Sequence, residues 1–169
     1  MKRENYISWD ELFIGIAELT SKRSKDPSTQ NGACIVKNNK ILSIGYNGLP
    51  YNLSDDGYNT YAGVNDLKLE NSDCMYDYWG KPQKYEFVVH AEENALFNAT
   101  TDLTGSTLYL YSEKGYYPCS KCARGIVQKG IIKVVMKTAI QNNTSEYDWS
   151  YTKHMFKQAG IEIKILSDI

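Results

Sequence analysis

Pro118-Cys-Ser-Lys-Cys122 sets two cysteines three residues apart at the start of one helical pattern, and His90-Ala-Glu92 sets a histidine at the start of another. Residues three apart share one side of a helical turn, so both sulfurs project together. A helix N-terminus carries partial positive charge, which lowers a thiol pKa and favours thiolate. Two such N-termini brought to one edge of a sheet present one nitrogen and two sulfurs. That donor set suits a tetrahedral zinc with its fourth position open, the form a catalytic zinc takes. Glu92, two residues from the histidine, is close enough to reach a water at that position without being a ligand.

Other uses of these residues are open to the chain. A lone Cys-x-x-Cys can be a redox pair, but that motif belongs to a thioredoxin-like setting with no His-x-Glu partner. A closed structural zinc site needs a fourth ligand, and Cys34, Cys74 and His154 are the remaining cysteines and histidine. Cys34 lies in an apolar strand pattern and reads as a small core residue. Cys74 reads as a free thiol or an extra ligand, the former preferred, and His154 as an ordinary surface or packing residue.

The elements around these motifs are those of an α/β sandwich. Trp9 to Arg23 carries apolar residues at 9, 12, 13, 16, 17 and 19, one face of a helix, and Ser8 with Glu11 forms a capping box before it. Lys25 to Asn31 is a polar loop, with Pro27 closing off the helix. Gly32-Ala-Cys-Ile-Val36 and Lys40-Ile-Leu-Ser-Ile-Gly-Tyr46 flank Asn38-Asn39 and predict a β-hairpin. The stretch from Asn47 to about Tyr85 is rich in Gly, Asn, Asp and Tyr; it reads as a long loop insertion at about 48–84, with a short helix near Asn65–Glu70. A helix over Ala91–Ala99, a strand over Thr107–Tyr111, a helix over Cys119–Lys129, a strand over Ile131–Met136, a helix over Tyr147–Ala159 and a strand over Ile161–Leu166 complete the pattern. A hairpin followed by alternating helices and strands predicts a mostly parallel central sheet with helices on its faces. One domain, residues 1–169, accounts for the chain.

Composition excludes several classes. The 169 residues carry 19 Lys and Arg against 20 Asp and Glu, a net charge of -1. A chain that grips a long nucleic acid backbone has a basic excess, so no extended nucleic acid partner is expected. There is no long uncharged apolar run for a membrane span, and Met1 to Trp9 lacks the apolar core of a secretory signal. A cytoplasmic protein with reduced cysteines is expected.

A His-x-Glu followed by Pro-Cys-x-x-Cys is the signature of zinc nucleobase deaminases. Nearly the whole chain resembles the deoxycytidylate (dCMP) deaminases, a branch of the cytidine deaminase superfamily. The resemblance is carried by Arg23-Ser-Lys-Asp-Pro-Ser-Thr-Gln30, Gly32-Ala-Cys-Ile-Val36, Gly45-Tyr-Asn-Gly-Leu-Pro50, Lys84-Tyr85, His90-Ala-Glu-Glu-Asn-Ala-Leu96, Pro118-Cys-Ser-Lys-Cys-Ala123 and Met155 to Ile163. It implies a cytidine deaminase-like three-layer α/β/α sandwich around a mixed, mostly parallel five-stranded sheet. It implies a hydrolase that converts dCMP to dUMP and ammonia for thymidylate synthesis, with zinc on His90, Cys119 and Cys122. Glu92 is then the proton shuttle. Alternatives within the same chemistry are another cytosine nucleoside or nucleotide, or adenosine in tRNA; a non-catalytic zinc-binding module is more remote.

The same resemblance gives further expectations. Asn47 matches an Asn that holds the sugar hydroxyl, the Ala91 backbone bonds the base, and Tyr117 lies where an aromatic residue walls the base pocket. Arg23 and Lys25 are candidates for the 5′-phosphate, since Lys and Arg make charge-assisted bonds to phosphate oxygens. The family is commonly a homo-oligomer, often a hexamer, activated by dCTP and inhibited by dTTP. A regulatory pocket is associated with Gly45, Tyr46 and Gly48 and with Asp55 and Asp56, where magnesium can accompany a triphosphate. Two departures stand out: Asn31 occupies a place where the family usually has Val, and Tyr111–Tyr117 is a few residues longer than usual.

Overall fold

The computed structural model describes residues 2–53, 55, 78–138 and 149–166. Most of the predicted insertion, with Asp56, Cys74 and the short helix expected near Asn65–Glu70, lies outside the described residues.

Helix α1 (Trp9–Ser21) starts at the expected capping box: the Glu11 amide donates to Ser8 Oγ at 3.2 Å, and the Ser8 amide donates to Glu11 Oε2 at 2.6 Å. Strands β1 (Asn31–Lys37) and β2 (Lys40–Tyr46) form the hairpin, with Asn38 and Asn39 at φ 52° and 58°. Two successive left-handed residues make the tight turn whose twist matches the strands, and Asn is among the few side chains that tolerate it. There follow α2 (Lys84–Phe87), α3 (Ala91–Asn98), β3 (Thr107–Ser112), α4 (Ser120–Gln128), β4 (Lys133–Thr138), α5 (Ser150–Gln158) and β5 (Glu162–Leu166). Each predicted strand is found within two residues of its expected bounds.

The sheet order is β2-β1-β3-β4-β5. β1 is antiparallel to both β2 and β3, whereas β3–β4 and β4–β5 are parallel. Four strands therefore run one way and β1 alone runs against them, which is the mixed, mostly parallel sheet expected. Strand alternation divides the core in two. Ala33, Ile35, Leu108, Leu110, Val134 and Met136 face α3, α4 and α5, where they pack with Ala91, Ala95, Ala123, Ile126 and Phe156. Cys34, Val36, Tyr109 and Val135 face α1 and meet Phe13, Ile14 and Ala17.

The buried face of α1 differs from the expected one. Ile14 is buried, while Trp9 and Leu19 are 55% and 66% exposed. Gly32 explains the rotation: a Cβ there would lie 2.0 Å from the Ala17 carbonyl oxygen, so α1 comes down on the bare backbone along its Ala17 side. Gly45 does the same for α3, where a Cβ would lie 2.2 Å from the Ala95 nitrogen and 2.4 Å from the Ala91 oxygen. That close approach fixes the height of the α3 N-terminus above the sheet.

Candidate metal centre and the cavity around it

His90 is the N-cap of α3 and Cys119 the N-cap of α4. Both helices pack on the same sheet face, so their first turns meet. His90 Nδ1 lies 3.5 Å from Cys119 Sγ and 3.4 Å from Cys122 Sγ, and the sulfurs are 3.5 Å apart. Zinc bonds of ~2.3 Å to sulfur and ~2.0 Å to nitrogen put tetrahedral ligands about 3.5–3.8 Å apart, so the three donor atoms fit that ion. They are the one group of this kind among the described residues. Cys34 faces α1 and His154 is exposed, so neither completes a closed site. These three residues would hold a zinc ion, the number of protein ligands a catalytic zinc uses.

The electrostatics agree with a ligand set. The Cys119 thiol is brought down to about 3 by the hydrogen bond it shares with Cys122, helped by His90 and the Cys122 amide. Cys122 is pushed up by the same contact and by burial. His90 is raised to about 9, chiefly by its bond to Cys119. A metal ion replaces these shared protons and releases them. Glu92, 5% exposed, is raised by burial, against the pull of His90.

A cavity opens on this centre, lined by His90, Glu92, Cys119 and Leu110. One wall is polar. Asn47 is buried, with Nδ2 donating to Asp26 Oδ2 and to the Thr29 carbonyl at 2.9 Å each, and Oδ1 accepting from the Asn31 amide at 2.8 Å. Asp26 is held by the Lys84 ammonium and by the amides of Ser28 and Thr29. Part of the lining is aromatic: Tyr116 and Tyr117 lie 5.9 and 6.1 Å from the Trp149 ring, centroid to centroid. Lys81 and Lys114 add positive charge to the same cavity.

Asn47 and Tyr117 both line this cavity. Ala91 sits between His90 and Glu92 with its methyl fully buried, so its backbone is what it can offer a ligand. Arg23 and Lys25 are elsewhere. Both are exposed and line a second cavity, with Tyr46, Gly48 and Asp55, and Lys25 pairs with Asp55. The chain turns after α1 so that Ser24 bonds the Asn47 carbonyl and Asp26 points inward, which sends 23 and 25 outward. Gly45 is buried beneath α3 and lines neither cavity.

Four residues of the site escaped sequence reasoning. Asp26 and Lys84 stood inside motifs already noted, but their pairing spans 58 positions. Trp149 precedes α5, and Thr152 on α5 donates to the Pro118 carbonyl at 2.8 Å, bracing the loop that presents Cys119. Nothing in the local pattern of α5 signals either contact.

Residues 7–138 match the family model described as the cytidine and deoxycytidylate deaminase zinc-binding region. The deoxycytidylate deaminase of Homo sapiens is 36% identical over 165 residues, covering 96% of this chain and 82% of that protein. The probable deoxycytidylate deaminase of Drosophila melanogaster is 38% identical over 165 residues, 96% of this chain and 74% of that one. Among solved structures, dCMP deaminase from cyanophage S-TIM5, in complex with dCMP and dUMP, matches 95% of this chain and 100% of its own at 25% identity and a TM-score of 0.63.

Proposed function

The chain belongs to the cytidine and deoxycytidylate deaminase family, and from that premise we propose that it hydrolyses dCMP to dUMP and ammonia, supplying dUMP for thymidylate synthesis. The observation that carries this reading is the His90–Cys119–Cys122 donor set with the buried Glu92 carboxyl beside it in one cavity. The Homo sapiens relative named above is a deoxycytidylate deaminase.

When bound, zinc acts as a Lewis acid on the attacking water. Glu92 takes a proton from that water and delivers it to the ring nitrogen of cytosine. It then helps protonate the amine that leaves as ammonia. Burial makes this carboxylate a stronger base than an exposed one, which suits a group that must both accept and return a proton near neutral pH. The Ala91 backbone bonds the base, Tyr117 and Trp149 flank it, and Asn47 faces the sugar. The 5′-phosphate is met by Lys81 and Lys114 with the hydroxyls of Ser28 and Thr29, because these share the cavity with the metal ligands and Arg23 and Lys25 do not.

The second cavity suits a regulator. Arg23 and Lys25 supply positive charge for a triphosphate, and Asp55 a carboxylate for its magnesium ion. In this reading dCTP activates and dTTP inhibits, with Tyr46 and Gly48 linking the regulator to Asn47. The protein works in the cytoplasm as a homo-oligomer, a hexamer. Phe97 on α3 and Ile41 and Ile44 on the edge strand β2 are exposed apolar surface for a second subunit.

Ammonia release from dCMP, deoxycytidine and dCTP, each with and without the regulators, tests the scheme. Turnover of dCMP well above deoxycytidine is expected, rising with dCTP and falling with dTTP. Faster turnover of deoxycytidine overturns phosphate recognition, and indifference to both triphosphates overturns regulation.

A further inference from the structure

We infer that Asn31 is a specificity residue of the cavity, its side-chain carbonyl accepting a hydrogen bond from a sugar hydroxyl of the bound nucleotide; this rests on the deaminase reading above. Asn31 opens β1 and shares a face with Ala33 and Ile35, the face toward the helices that carry the zinc ligands. It lines the cavity. Its backbone is tied to Asn47 both ways: the Asn31 amide donates to Asn47 Oδ1 at 2.8 Å, and the Asn47 amide donates to the Asn31 carbonyl at 3.3 Å. Its own Oδ1 is buried, with no hydrogen-bond donor among the described residues.

An acceptor buried without a donor is a cost in the unliganded protein, and few native groups carry it without a use. The chemistry of the wall names the missing partner. Both Asn47 amide hydrogens are committed to Asp26 and Thr29, so neither can serve the buried Asn31 acceptor. A group that complements acceptors must donate. The ionised phosphate has no proton to donate, and the amine of the base belongs at Glu92 and the zinc. The sugar hydroxyl is the donor that remains.

The test uses the zinc-loaded full chain, unaltered and as Asn31→Val and Asn31→Ala, with dCMP, CMP and 2′,3′-dideoxycytidine 5′-monophosphate. In the unaltered protein KM should rise about tenfold from dCMP to the dideoxy nucleotide. In both variants that ratio should shrink about tenfold, with kcat for dCMP within about twofold, and the unliganded Tm of Asn31→Val should rise as the orphaned acceptor is removed. Tighter use of CMP that vanishes in the variants assigns the 2′-hydroxyl; a ratio lost for the dideoxy nucleotide alone assigns the 3′-hydroxyl. Ammonia release with an undiminished ratio in the variants overturns the inference alone. No ammonia from any nucleotide with the unaltered protein overturns the deaminase reading, and the inference with it.

Discussion

The Lys84 ammonium lies 2.7 Å from one oxygen of Asp26 and 2.6 Å from the other, with the lysine side chain 10% exposed and the aspartate 1%. The pair is the floor on which Asn47 rests, because Asp26 Oδ2 also takes the Asn47 amide. Removing one partner leaves a buried charge with nothing against it, a loss of about 3–5 kcal/mol. Lys84→Met should therefore unfold in less urea than the unaltered protein, and its KM for dCMP should rise as Asn47 loosens. The double variant Lys84→Met, Asp26→Asn should recover much of the stability. A double variant as unstable as the summed singles would show that the two residues act independently.

Glu92→Gln keeps the shape of the side chain and removes its ability to carry protons. Turnover of dCMP should fall by roughly 10²–10⁴-fold. The zinc content, measured by atomic absorption, should stay at the unaltered level, since Glu92 is not among the three ligands. Loss of zinc together with activity would instead make Glu92 part of the metal's support.

Thr152 is 1% exposed and gives its hydroxyl hydrogen to the Pro118 carbonyl. Thr152→Val fills the same space but orphans that carbonyl, at about 1–3 kcal/mol. A fall in Tm of several degrees is expected, with zinc released at lower chelator concentration than from the unaltered protein. Unchanged chelator sensitivity would confine Thr152 to a packing role.

Asp10 ties α1 to strands β3 and β5, accepting from the Tyr109 hydroxyl at 2.7 Å and pairing with Lys164 at 2.6 Å. Burial works to raise its carboxyl, but the bonds from Lys164 and Tyr109 outweigh it and hold the group below its ordinary 3.8. A depressed acid stabilises the fold above its unfolded value and loses that contribution as pH falls through the folded one. Asp10→Asn should cost about 1 kcal/mol at pH 7, with the gap closing below pH 3.8. Denaturation midpoints of both proteins across that range give the comparison; a gap that widens in acid would reverse the sign assigned to Asp10.

What was legible in the sequence was what neighbouring residues decide. Ser8 and Glu11 cap α1 three residues apart, Asn38 and Asn39 make their own turn, and Cys119 and Cys122 share one turn of α4. The meeting of His90 with the cysteines was legible through the His-x-Glu and Pro-Cys-x-x-Cys signature, since spacing alone does not bring together two helix starts 29 positions apart. The buried face of α1 did not follow, because Gly32 in a strand distant along the chain decides which side of the helix can approach. Arg23 and Lys25 line the second cavity and not the one with the zinc ligands, a placement that follows from the turn stabilised by Ser24 and Asp26. Trp149 joins Tyr116 and Tyr117 only through the packing of α5 on α4, where the hydroxyl of Thr152 meets Pro118.

The hairpin of β1 and β2 and the helix before it are contiguous in sequence and pack on one another, whereas the zinc ligands come from α3 and α4, on either side of β3. Local contacts form early in folding and distant ones late. Zinc spans contacts 29 and 32 positions apart, which on that ordering form after the local ones. Zinc should slow unfolding while leaving the refolding rate nearly unchanged, making it a lock on the finished protein rather than a template for making it. Stopped-flow refolding and unfolding with and without a chelator would read the two rates, and a refolding rate that climbs with zinc would place its contacts before the folding barrier.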